Sequence, residues 1–186
     1  MKRLQRKAVV FSLLLTIFSL GFYSCQDDET DLSDYFSQQD HDFAINATYS
    51  NIAEIQLGEL AFQKSDNDSV MNYGKEMIMD HNPIRYKMDS IARELKITLP
   101  TKMDKSHQTV YNRLSGLTSF AFDTAYMRSQ ILDHQAALSM MEKQRDSGNN
   151  KKLIDYAKEN LILLDEHLQH ATRLSAWLNE TGGVNQ

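Results

Sequence analysis

Three acid–histidine steps, Asp80–His81, Asp133–His134 and Glu166–His167, each fall inside what otherwise reads as an apolar helical stripe. His81 lies between Met77 and Ile84, His134 between Ile131 and Leu138, and His167 between Leu164 and Ala171. Steps of three and four put each imidazole on the same face as its apolar neighbours, hence in a seam between helices. The preceding acids, Asp80, Asp133 and Glu166, sit about 100° round the helix, at the flank, where solvation or interhelical ion pairing is expected. A fourth polar residue, Glu54, lies on a face of small residues, Ala47, Gly58 and Ala61, that would let another helix approach its carboxylate. Three imidazoles and a carboxylate suit a single zinc, copper or iron ion better than magnesium or calcium, which prefer oxygen. The same four residues could instead close a metal-free layer, the carboxylate accepting imidazole N–H bonds. Both readings stand at this level. Met77, Met88, Met127 and Met141 line the same seams and read as core. His41 and His107 fall in connecting regions as surface residues, and His170 pairs with Glu166 one turn away.

Four segments with helical periodicity would have to position this layer: A, about 42–63; B, about 69–95; C, about 119–146; and D, about 151–179. "SDND" (65–68) and "SGNN" (147–150) interrupt the pattern and offer caps. Residues 96–118 are far longer than a tight antiparallel turn needs, so they can travel back along the bundle and leave B and C parallel. The expected fold is therefore all-α, a ferritin-like four-helix bundle with a long crossover between B and C. In that topology Glu54, His81, His134 and His167 stand about 11, 13, 15 and 12 residues from one end, a spread of about 6 Å at ~1.5 Å per residue. They share a level. Pro83, lacking an N–H and crowding the carbonyl of Met79, predicts a kink or a restart capped by Asn82 close to His81. "NYGKE" (72–76) in B echoes "DYAKE" (155–159) in D.

The N-terminus is to be set aside before fold reasoning. Lys2, Arg3, Arg6 and Lys7 precede an uncharged apolar run at 8–23, too short for a spanning helix, which ends at Ser24–Cys25. Residues 1–24 read as a lipoprotein signal peptide and Cys25 as the lipidated first residue of the mature chain. Residues 25–40 form an acidic linker, 41–180 the bundle domain and 181–186 a tail. Cys25 is the only cysteine, so no intrachain disulfide supports the fold. The mature chain would carry 16 of the 20 Lys and Arg against all 25 acids, a net charge of −9, with no basic cluster to track nucleic acid. The expected partner is a membrane, through the lipid anchor; the expected place is the cell envelope, at the outer membrane.

With the stretches "AEIQLGELAFQKSDNDSVMNYGKEMIMDH" (53–81), "LTSFAFDTAYMRSQILDHQ" (117–135) and "EHL" (166–168), the chain resembles the bacterial family called domain of unknown function 4142. That resemblance implies an exported or outer-membrane protein with a ferritin-like bundle. It marks Glu54, Gly58, Asp80, His81, Phe122, Asp123, Tyr126, Asp133, His134 and His167 as motif positions, and it supplies no reaction. The Glu-x-x-His motifs of di-iron bundles are missing, because Ile78 and Leu164 stand three residues before His81 and His167. Nor is there a nucleophile motif, phosphate loop or paired-carboxylate arrangement. The reading is an envelope binding or structural module with a Glu/His layer in its core. The alternative is a mononuclear metal-binding protein or metalloenzyme. A channel reaching His81 would favour chemistry, a sealed layer structure.

Overall fold

The computed structural model describes residues 36–182. The expected signal peptide, Cys25 and most of the linker lie outside the described residues, as does most of the tail. Five helices follow one another: α1 (Gln38–Lys64), α2 (Asp68–Leu95), α3 (Lys105–Ser115), α4 (Ser119–Ser147) and α5 (Lys151–Thr181). The four periodic segments correspond to α1, α2, α4 and α5, and the amphipathic piece of the crossover is α3.

Side-chain caps set several of the boundaries. Ser37 and Asp40 form a capping box at the start of α1, Asn67 accepts from Ser69 and Val70 at the start of α2, and Asn150 accepts from Lys152 and Leu153 at the start of α5. The first helix thus begins at Gln38, ahead of the domain start at 41 read from the sequence. The cause is Asp40, a fully buried carboxylate that behaves as neither linker nor surface. Its Oδ1 accepts from Gln144 Nε2 (2.6 Å) and the Asn149 amide (3.1 Å), and its Oδ2 from Ser37 Oγ (2.7 Å) and the Asn150 amide (3.2 Å). One side chain pins the start of α1 to the α4–α5 turn. Pro83 neither restarts the helix nor makes Asn82 a cap: α2 is one helix from Asp68 to Leu95, and Asn82 Nδ2 donates to the Ile78 carbonyl at 2.7 Å.

α1 packs with α2 and α4 with α5 as hairpins, while α1 lies against α4, α2 against α5, and α3 lies across α1 and α4. Two apolar clusters fill the interior. One holds Leu57 and Leu60 of α1, Val70 and Met77 of α2, Leu114 of α3, Phe122 and Tyr126 of α4, and Leu174 and Leu178 of α5. The other holds Phe43 and Ala47, Met88 and Ile91, Ala137 and Met141, and Leu153 and Tyr156. Since α2 and α4 both start in the first cluster and end in the second, they run parallel, as a bundle with one long crossover requires. Neither cluster includes Glu54, His81, His134 or His167. The polar layer divides the core at mid-height.

Contact between α1 and α2 is close because two glycines face each other. A Cβ built on Gly58 would stand 2.6 Å from the Gly74 carbonyl oxygen, and one on Gly74 would stand 2.7 Å from that of Gly58. Only glycine fits at either position without separating the backbones. No helix among the described residues is long and apolar enough to cross a membrane.

Candidate metal centre

His81 comes from the middle of α2, His134 from the middle of α4 and His167 from the middle of α5, and each ring is at most 2% exposed. Their centroids form a nearly equilateral triangle, 5.7 Å between His81 and His134, 5.4 Å between His81 and His167, and 5.3 Å between His134 and His167. One nitrogen from each ring lies within 4.8 Å of the other two.

The outer nitrogens decide what the inner ones can do. His134 Nδ1 stands 2.9 Å from the Gln130 carbonyl oxygen, and His167 Nε2 stands 3.0 Å from Asp80 Oδ2. Both oxygens only accept, so both of these nitrogens carry protons. His81 Nδ1 stands 2.9 Å from Asn51 Oδ1. That amide is oriented by its other end, since Asn51 Nδ2 donates to the Ala47 carbonyl at 2.9 Å and to the Tyr156 hydroxyl at 3.0 Å. His81 therefore donates through Nδ1. Three nitrogens remain, His81 Nε2, His134 Nε2 and His167 Nδ1, all buried and all without a hydrogen-bond partner. Protonating any of them is disfavoured. Burial pushes the His81 imidazole well below its ordinary pKa, with His134 and His167 beside it adding to the effect. Burial likewise lowers His134 and His167, outweighing the Gln130 carbonyl and Asp80 that would raise them. Three neutral imidazoles, close together, thus each keep one buried lone pair without a donor and are held at the other nitrogen by an acceptor, as metal-binding histidines are.

Glu54 stands behind this triangle. Its Oε1 is 3.8 Å from His134 Nδ1, the nitrogen already bonded to the Gln130 carbonyl, and its Oε2 has no partner. Burial, aided by the charge of Asp133, pushes its carboxyl up to about 8, so it is neutral near pH 7. The expected closed Glu–His network is not formed, because no imidazole N–H points at this carboxyl within bonding distance. Gln130 and Tyr126, fully buried beside it on α4, also carry side-chain polar atoms without partners.

The flanking acids separate. Asp80 reaches across to His167, Glu166 is exposed, and Asp133 is partly buried on the α1–α4 side in a groove shared with Asp104 and His107. His107 Nδ1 bonds Asp104 at 2.7 Å, and His41 belongs to the first turn of α1 rather than to a connection. His170 does not pair with Glu166: its Nδ1 lies 2.8 Å from Glu76 Oε2 on α2, with its ring edge-on to Tyr73. The sequence reading missed Asn51, Gln130 and Glu76. Asn51 and Gln130 had a signal, each being an amide one turn from an apolar residue on a buried stripe.

The sequence pattern of the family described as "Domain of unknown function (DUF4142)" matches residues 27–174. Among solved structures the bundle is similar to the one titled "Crystal structure of DUF305 fragment from Deinococcus radiodurans", with a TM-score of 0.69 at 12% identity, covering 77% of this chain and 99% of that one. At that identity the likeness concerns the fold alone. No curated protein matches.

Proposed function

We propose that this chain, which belongs to the DUF4142 family, binds one transition-metal ion through His81 Nε2, His134 Nε2 and His167 Nδ1. The observation that carries this reading is three buried, unpartnered imidazole nitrogens on rings that each bring a ligand nitrogen within 4.8 Å of the other two. Without an ion they repel, and each lacks a partner at a cost of about 1–3 kcal/mol. An ion that takes neutral nitrogen ligands removes that cost. Zinc, copper and iron fit such a set; magnesium and calcium do not. Glu54, 3.8 Å from the nitrogen of His134 that bonds Gln130, is not counted as a ligand.

The sealed layer speaks against turnover, and the three unpartnered nitrogens speak for binding over a purely structural layer. Residues 1–24 act as the export signal and Cys25 as the lipid-bearing residue, which places the module at the envelope, on a membrane. The proposal is tested by elemental analysis of the protein purified without an affinity tag, beside His81→Leu and His134→Leu. The parent should hold about one equivalent of a single transition metal and the variants almost none, and a chelator should lower the parent's melting temperature alone. Less than about a tenth of an equivalent, with no thermal shift on adding zinc or copper, would overturn it.

A further inference from the structure

A site with three buried ligands must be loaded through one of the bundle's walls, and the four walls differ. The α1–α2 wall is closed by the Gly58–Gly74 contact, and α4 and α5 pack along their length. α3 lies over the α1–α4 wall. The α2–α5 wall is the most sparsely packed of the four and, among the described residues, has no helix across it.

On that wall stand Glu76 and Asp80 of α2 and His170 of α5, all partly exposed. Ligand atoms of Glu76, Asp80 and the buried His167 lie within 4.8 Å of one another, and His170 Nδ1 lies 2.8 Å from Glu76 Oε2. His167 belongs to both groups: its Nε2 meets Asp80 at 3.0 Å, its Nδ1 is buried and unpartnered, and its ring lies within 4.8 Å, ligand atom to ligand atom, of His81 and His134. Between solvent and the inner site the wall is one imidazole thick.

We propose that Glu76, Asp80 and His170 form a loading site, at which a divalent transition-metal ion docks before His167 passes it to the inner triad. The proposal rests on the triad's being a metal site. Two carboxylates and an imidazole at a partly wet surface can replace part of an ion's water shell, which three buried neutral nitrogens cannot reach. An ion docked there takes over Asp80 from His167 and frees that ring to turn. A site on the path alters uptake and release together, because both directions cross it, and leaves their ratio nearly fixed.

The test uses the full chain and Co²⁺, with uptake and chelator-driven release followed by stopped-flow absorbance. In Glu76→Gln and in His170→Asn, both rates should fall about tenfold while the Kd stays within about threefold of the parent. Asp133→Asn, on the opposite wall, should leave both rates unchanged. Unchanged rates in Glu76→Gln and His170→Asn, or slowing in Asp133→Asn instead, would overturn the loading site and leave the triad standing. No Co²⁺ uptake by the parent would remove both. Circular dichroism and thermal melts establish that each variant is folded.

Discussion

Asn51 does at the residue scale what no acid in the layer does: it fixes which nitrogen of His81 keeps its lone pair. Its amide accepts from His81 at one end and donates to Ala47 and Tyr156 at the other, so it has a single usable orientation. Replacing it with Leu should strand the His81 N–H and the Tyr156 hydroxyl, costing about 1–3 kcal/mol of stability. Losing the acceptor behind the ring should also weaken metal binding about 10–100-fold. Asn51→Asp keeps an acceptor and should keep more of the affinity; competition against a chelator of known strength measures both. Equal affinity in Asn51→Leu and the parent would show that the tautomer is fixed elsewhere. The sequence identified the three imidazoles because they break apolar stripes at helical spacing. It placed Glu54 in the layer but did not tell on which side of His134, since a carboxylate beside small residues reads the same whether it faces the layer's centre or the back of that ring.

Two contacts at the element scale hold the helices where the layer needs them. Gly74 lets α2 lie against α1, and His81 is two turns further along the same helix. Gly74→Ala should force the backbones apart, cost about 1–3 kcal/mol, and move His81 relative to the other two rings. Urea unfolding should report the first effect and weaker metal binding the second. Asp40 ties α1 to the α4–α5 turn. Burial alone would raise its carboxyl, but the bonds from Ser37, Gln144 and Asn150 outweigh that and hold it below the ordinary carboxylate range. A lowered folded-state value means that this contribution is present above the unfolded value, about 3.9, and is lost as pH falls through the folded one. Thermal melts of the parent and Asp40→Asn should therefore differ most near neutral pH and converge in acid. A gap independent of pH would contradict this. The periodic stripes made all four long helices legible, while the Asp40 staple was not, because its partners lie more than a hundred residues away in sequence.

For the whole molecule, topology was legible from one length: a connection of 96–118 is wasteful as a turn and suited to a crossover, and α2 and α4 do run parallel. Parallel α2 and α4 bring residues from three helices to one level. The flanking acids were less legible, since spacing puts Asp80, Asp133 and Glu166 at equivalent angles and only helix neighbours decide that Asp80 alone meets an imidazole. The membrane reading rests on residues before the bundle. Cys25→Ser should release the protein from the membrane fraction on carbonate washing, and retention would contradict lipid anchoring. The most direct test of the central claim is X-ray absorption at the edge of the metal that the protein retains. Three imidazole nitrogens at about 2.0–2.1 Å are predicted, reduced in His134→Leu. An oxygen-only shell, or an imidazole signal unchanged in that variant, would contradict a metal site at His81, His134 and His167.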